Sequence, residues 1–288
     1  MGQRAKTNSK ILFYCYMPTI TEKFIKFVTK KSLTKIIANF LFPASCLACG
    51  QRMLTSEPHN LCVDCWGRLR FITDPYCDYC CAPQDSSSSF FLPISSPIVC
   101  ERCLFPSKKR HYTKKRAALI YDAASKQLIQ RFKYQDDTIL LHLFVKWLLI
   151  AGQNLFQNID LVIPVPLHQD RMKERKYNQA ALLAQELALR IDKPYAYDVL
   201  DKVINVIPQS SLTQKERIHN VKGAFALNNR KKINIENKSI LLVDDVVTTS
   251  STVNECSKIL RKVGKVKHVF VISLAQTHIY KESFPTCD

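Results

Sequence analysis

From residue 117 onward the chain alternates two kinds of apolar pattern. Short apolar runs, Leu161 to Pro166, Ile240 to Val243 and, with Lys267, His268 and Ser273 inside it, Val266 to Leu274, have the length and composition of strands buried on both faces. Between them lie stretches with helical spacing: Ser125 to Tyr134, Asp137 to Ala151, Asn178 to Ile191, a shorter one near Leu212 to Val221, and Val253 to Val263. This alternation predicts an α/β domain over residues 107–288, with a parallel central sheet flanked by helices. Residues 43–106 look different: long apolar runs are missing, cysteines are dense, and DSSSSFFLPISSP at 85–97 reads as a loop. Residues 1–42 form a basic N-terminal extension with one amphipathic helical stretch. There Phe24, Ile25, Val28, Leu33, Ile36, Ile37, Phe40 and Leu41 keep near-helical spacing. The lysines beside them form either a solvated face or one that meets an anionic surface. No internal repeat shows beyond the cysteine pairs.

Charge narrows the partner class. Lysine and arginine number 42 against 24 acidic residues in 288, a net +18, which favours nucleic acid, phosphorylated ligands or an anionic membrane surface. Neither GxGxxG nor GxxxxGK occurs, so the usual dinucleotide and P-loop fingerprints are missing. The apolar run Ile11 to Met17 lacks a small-residue cleavage site after it, and Ile139 to Ala151 is interrupted by His142 and Lys146. It also falls short of the roughly 20 residues of a spanning helix, so no transmembrane segment and a cytoplasmic location are expected.

Eight of the 12 cysteines fall in four CxxC pairs: Cys46 with Cys49, Cys62 with Cys65, Cys77 with Cys80, and Cys100 with Cys103. Two thiols separated by two residues form the knuckle that grips a tetrahedral zinc, so the eight predict two structural Zn2+ ions in a reducing compartment. Sequential pairing of the knuckles gives a double zinc ribbon, and a cross-braced arrangement uses the same residues. Cys81, beside Cys80, allows a slip of ligand, while Cys15, Cys256 and Cys287 stand apart. A region this poor in aliphatics orders through its metal, so zinc loss is expected to unfold it and spare the α/β domain.

Two strings carry chemistry. In KSILLVDDVVTTSST, 238–252, a buried strand ends in Asp244 and Asp245 and runs through Thr248, Thr249, Ser250, Ser251 and Thr252 into a helix. Ligands of open α/β sheets collect at the carboxyl ends of strands, where a following helix offers backbone N–H groups to an anion. Two carboxylates repel a phosphate but suit sugar hydroxyls or a magnesium ion, and together these features describe a phosphorylated ribose. In DLVIPVPLHQDRMKERKYNQA, 160–180, prolines end a strand and Arg171, Lys173, Arg175 and Lys176 follow. Such a loop is either solvated or a seat for pyrophosphate.

The first string resembles the phosphoribosyl-pyrophosphate (PRPP) motif of type I phosphoribosyltransferases, with Ser250 where a glycine is usual. A positive φ there costs a serine about 1 kcal/mol. With four CxxC pairs, PVPL, the NQA of 178–180 and QSSLTQKERIHNVKGAF at 209–225, the chain resembles the ComF/GntX family over roughly residues 38–276. Gln209, Arg217 and Asn220 match that pattern. The resemblance implies a type I phosphoribosyltransferase-like parallel sheet joined to a small N-terminal double zinc ribbon. It implies that Asp244 and Asp245 are catalytic, and that PRPP, with Mg2+, is bound by Val246, Val247, Thr248, Thr249, Ser250, Ser251 and Thr252. Arg171, Lys173, Arg175, Asn178 and Gln179 complete the PRPP site on this reading. The implied role is in competence and DNA uptake, with single-stranded DNA as a partner and other DNA-uptake or recombination proteins meeting the zinc module. The alternative is an active transferase that moves ribose 5-phosphate from PRPP to an unidentified acceptor.

Overall fold

A computed structural model describes residues 45–53, 60–84, 97–106, 109–134, 138–168, 170, 172–173, 177–204, 223–228 and 233–277. The amphipathic stretch before Phe42, the helical stretch near 212–221, most of the serine-rich loop, Arg171, Arg175, Lys176, Gln209, Arg217, Asn220, Cys15 and Cys287 lie outside them.

Four parallel strands form the central sheet: β1 (Lys114–Ile120), β2 (Leu161–Pro164), β5 (Ser239–Val247) and β6 (His268–Gln276), in the order β1-β6-β5-β2. Two short strands, β3 (Leu200–Lys202) and β4 (Phe225–Leu227), pair antiparallel apart from it, and the apolar pattern does not announce them. Neither does it announce β1, whose first residues are Lys114, Lys115 and Arg116.

Successive side chains of a strand point to opposite faces, and β5 divides accordingly. Leu241 and Val243 enter one core with helices α3 (Ala123–Tyr134), α4 (Thr138–Gly152) and α5 (Gln179–Arg190). Ile240 and Leu242 enter the other with Val253, Cys256 and Leu260 of α6 (Ser251–Lys262). Apolar residues on both faces are what made these strands read as continuous runs. Helix α4 is apolar around most of its circumference because it is a core helix: Leu140, Phe144 and Leu148 are fully buried. Among the described residues no helix is long and apolar enough to cross a membrane.

The strand read as ending at Pro166 stops at Pro164, since proline supplies no N–H to a ladder. Pairing between β2 and β5 therefore ends at Pro164 opposite Val243, while β5 runs on to Val247 beside β6. Past Val243 one edge of β5 loses its partner strand, and the two acidic residues stand there.

The zinc module joins the first core. Cys46, Leu47, Met53, Leu61 and Leu69 are buried in it, and Trp66, on the short helix α1 (Val63–Gly67), lies 5.2 Å from Phe71 and 6.2 Å from Trp147 between ring centroids. Trp147 meets Phe144, which packs edge-on against Phe132 at 5.3 Å. Residues 70–72 also add to the outer edge of β1: Ile72 N–H donates to the Ala118 carbonyl at 2.9 Å and Ile120 N–H to that of Arg70 at 2.8 Å.

Candidate functional site

The eight paired cysteines converge in two groups, Cys46, Cys49, Cys62 and Cys65 in one, Cys77, Cys80, Cys100 and Cys103 in the other. Pairing is thus sequential, and the cross-braced alternative is not what the chain adopts. Within each group all four sulfurs lie within 4.8 Å of one another, and the Cys49–Cys62 and Cys80–Cys100 separations are 3.8 and 3.5 Å. A tetrahedron of Zn–S bonds near 2.3 Å has edges of about 3.8 Å, so both groups fit zinc.

The two ribbons share one backbone template. In each, the N–H of the first cysteine donates at 2.8 Å to a carbonyl five residues on, Gln51 or Ala82, and its carbonyl accepts from Gly50 or Cys81 at 2.9 Å. Gly50 and Cys81 both have a positive φ, 76° and 59°. Cys81 therefore holds the glycine position of its knuckle. Its buried Sγ donates to the Ala117 carbonyl at 3.8 Å and takes no part in the four-sulfur group. The second knuckle of each ribbon opens a one-turn helix: Cys62 Sγ caps α1 by accepting from Cys65 N–H, and Cys100 stands directly before α2 (Glu101–Leu104) with no capping bond from its side chain. Burial opposes ionisation of Cys46, yet N–H groups of Cys49, Cys62 and Ala48 bring its thiol down to about 6. Cys65 moves the other way, pushed up by burial and by its thiol neighbours. Four thiolates repel one another until a dication neutralises them.

At the sheet, Asp244 and Asp245 lie within β5 itself, half-buried, beside the unpaired edge. Burial and the neighbouring Asp245 charge push the Asp244 carboxyl well above the usual range. Asp244 Oδ1 accepts from Asp245 N–H at 2.9 Å, and Asp245 Oδ1 from Val246 N–H at 2.7 Å. The other oxygen of Asp245 pairs with Lys133 Nζ at 2.6 Å.

The loop that follows brings Thr248 to Thr252 around the start of α6. Thr249 and Ser251 share a hydroxyl contact of 2.9 Å, the Thr248 carbonyl accepts from Thr277 Oγ1 at 3.0 Å, and Val247 is buried. Ser250 is the residue before the helix, in the left-handed region at φ 59° and ψ 7°, as its glycine-like position requires, and its side chain makes no capping bond. Instead its Oγ accepts from Lys115 Nζ at 3.1 Å.

The basic string behaves differently. Lys173 is exposed on a short helical segment. Asn178 and Gln179 are buried and face the fold. Asn178 caps α5 by accepting from Ala180 N–H at 3.0 Å and donates to the Val165 carbonyl at 3.0 Å. Gln179 Nε2 donates to the Lys133 carbonyl at 3.2 Å, and Tyr177 Oη to that of Phe132 at 3.1 Å. These residues close the end of α3 and so fix the backbone from which Lys133 reaches Asp245.

Each ribbon braces one side of this site. Arg131 and Gln127 of α3 donate to the Leu47 and Ala48 carbonyls, inside the first knuckle, at 2.7 and 3.0 Å, and α3 then delivers Lys133. On the other side Lys115 N–H donates at 2.8 Å to the Tyr79 carbonyl, inside the second ribbon's knuckle. Arg116 donates to the Asp78 carbonyl at 2.8 Å, and Arg110 donates to Cys103 Sγ at 3.2 Å and lies over the Tyr79 ring. The sequence reading missed Lys115 and Lys133. The one available signal was a run of three cations, Lys114, Lys115 and Arg116, directly before the apolar run Ala117 to Ile120.

A parallel sheet with paired acids and a hydroxyl loop at the end of a central strand, joined to two four-cysteine ribbons, defines a type I phosphoribosyltransferase-like domain with a double zinc ribbon. Residues 37–104 match the family model of the double zinc ribbon domain, and residues 178–282 that of the phosphoribosyl transferase domain. Over 242 residues the chain is 31% identical to competence protein F of Haemophilus influenzae, a span of 82% of this chain and 98% of the relative. Competence protein ComFC of Bacillus subtilis is 25% identical over 229 residues, 78% of this chain and 87% of that one. The DNA utilization protein YhgH of Escherichia coli is 32% identical over 105 residues, 36% of this chain and 44% of that one. The chain belongs to the competence protein F (ComF) family.

Proposed function

We propose that this protein binds PRPP with magnesium at the carboxyl end of β5 and serves in the handling of single-stranded DNA during its uptake. One observation carries the ligand reading: paired carboxylates near the end of β5, the second of them bonded to Lys133, run into a hydroxyl loop at the start of α6 whose Ser250 is bonded to Lys115. On this reading Asp244 and Asp245 take the ribose hydroxyls and the waters of the magnesium ion. Val246 to Thr252 wrap the 5-phosphate, and Arg171, Lys173 and Arg175 take the pyrophosphate. Asn178 and Gln179 act by positioning, since their side chains hold the loop and the end of α3.

The DNA reading is supported by the net charge of +18 and by the relatives' names, competence protein and DNA utilization protein. The location is cytoplasmic on this proposal, and the exposed ribbon faces meet other uptake or recombination proteins.

Calorimetry with PRPP, with and without magnesium, tests the ligand, and incubation with a panel of nucleobases while pyrophosphate release is followed separates binding from transfer. Binding without release is the expected result, and steady release makes the protein a transferase. For DNA, neutralising about four phosphates gives a roughly fiftyfold loss of single-strand affinity between 50 and 200 mM salt. Salt-independent affinity would refute the electrostatic reading.

A further inference from the structure

The two four-cysteine groups share a backbone template and differ in their surroundings. In the second group Cys77 and Cys100 are buried, and two cations stand against the sulfurs. Arg110 Nη1 donates to Cys103 Sγ at 3.2 Å, and the same guanidinium lies 4.4 Å from the centre of the Tyr79 ring, which fixes its place. Lys115 is 5% exposed; burial pushes its ammonium toward the neutral form, and the thiolates of Cys80, Cys103 and Cys77 draw it back toward the charged one. Four thiolates around one Zn2+ leave two negative charges, and Arg110 and Lys115 supply two positive ones. The second centre is both covered by the chain and balanced in charge.

The first group is more open. Cys49 is exposed, and Cys62 and Cys65 are half-buried. A cleft of about 370 Å3, lined by Ala48, Cys65, Arg68, Leu69, Asp122 and Gln127, lies directly beside it. Zinc leaves a thiolate site only when an incoming ligand or proton reaches the metal or a sulfur, and a cation or N–H bonded to the sulfur lowers its reactivity toward such attack. Access and charge therefore favour exchange at the same one of the two centres.

We infer that the two zinc centres are unequal: the first ribbon is an exchangeable metal site, open to small chelating ligands from the cleft beside Cys65, and the second, with Arg110 and Lys115 as its counter-charges, retains its zinc. Exchange at the first centre has a built-in reporter. The chain has two tryptophans. Trp66 follows the ligand Cys65 directly, and Trp147 lies 6.2 Å from it between ring centroids, so tryptophan emission follows the state of the first ribbon.

The test uses the full chain with its zinc, well below its melting temperature. An excess of a chromogenic chelator is added, released zinc and tryptophan emission are followed together, and freed thiols are trapped with N-ethylmaleimide and located by mass spectrometry. The expected result is release in two phases of about one zinc each, with rates about tenfold or more apart. Emission changes with the fast phase. Cys46, Cys49, Cys62 and Cys65 are labelled in that phase, and Cys77, Cys80, Cys100 and Cys103 in the slow one. Arg110→Gln removes a charged hydrogen bond to sulfur, and it is expected to quicken the slow phase about tenfold while the fast phase stays as it was. Both zinc ions leaving at one rate, or the second four cysteines labelled first, overturns the inference. A slow phase in Arg110→Gln within about twofold of the wild type overturns the role given to Arg110. Protein isolated with one zinc, its first four cysteines open to labelling and its second four protected, is the same result carried further, whereas protein isolated without zinc overturns the zinc reading itself.

Discussion

Replacing Asp244 and Asp245 together by asparagine is expected to abolish magnesium-dependent PRPP binding while zinc content stays the same. Each carboxylate is assigned charged hydrogen bonds to a sugar hydroxyl or a metal-bound water, worth about 1.5 to 3 kcal/mol, so each substitution alone weakens binding about ten- to a hundredfold or more. Calorimetry reads the loss directly, and affinity retained within threefold in the double variant refutes the site. The two single variants differ in stability. Asp244 has its pKa raised by burial and by Asp245, so the folded state holds that proton more tightly than the unfolded chain does. Stability from this group is therefore fully present below the unfolded carboxyl pKa and is lost as pH rises toward the folded value. At neutral pH Asp244→Asn removes that strain and is expected to raise the melting temperature. Asp245→Asn instead deprives the Lys133 ammonium of its 2.6 Å partner and lowers it. The same raised pKa makes ligand affinity fall on acidification at a pH above the ordinary carboxylate range, because magnesium and ribose need the ionised form.

The second large effect is that of zinc. Purified protein is expected to carry about two zinc ions per chain by elemental analysis, and stripping them, or replacing Cys46 by serine, to lower the melting temperature by on the order of 10 °C or more. Structural zinc contributes about 10 to 16 kcal/mol to the folding of small ribbons, as much as the whole stability of a typical domain. The sequence alone suggested that this loss stays within the cysteine-rich region. The packing argues for a wider effect: Leu47, Leu61 and Leu69 belong to the same core as Phe132, Phe144 and Leu148, and Trp66 and Phe71 both pack on Trp147. One cooperative transition, followed by far-ultraviolet and near-ultraviolet dichroism together, is the expected melt. Two separated transitions would show that the ribbons fold as an independent unit.

Much of this architecture was legible because its signals are local. CxxC spacing names a metal knuckle whatever surrounds it, and a buried strand that stops in two acids and five hydroxyls declares a ligand end. Helix α5 was found from its period, while Asn178, read as its first residue and as a PRPP ligand, is its cap. What stayed hidden depends on contacts distant in sequence. Lys115 and Lys133 look like any surface lysines until β1 and the end of α3 are brought beside β5. Asn178 and Gln179 read as ligand groups from their string, while the fold spends their side chains on the Val165 and Lys133 carbonyls. Strands β3 and β4 are three residues each, too short for an alternating pattern to register.

The stretch 70–72 has one more consequence, for self-association. Strand β1 is one of the two terminal strands of the sheet, and a terminal strand with unpaired N–H and C=O groups is a template on which another copy of the chain can polymerise. Here the chain that links the two ribbons occupies that template, with Ile72 and Arg70 bonded to Ala118 and Ile120, and Phe71 bridged to Leu119. The metal-bound ribbons thereby act as a guard on the sheet. Protein whose zinc has been removed is expected to release residues 70–72 on unfolding and so to uncover the apolar edge Ala117 to Ile120. Above its lowered melting temperature such protein is expected to aggregate through intermolecular β-pairing, read as light scattering with a gain in thioflavin fluorescence, whereas the zinc-loaded chain is expected to stay clear at the same temperature.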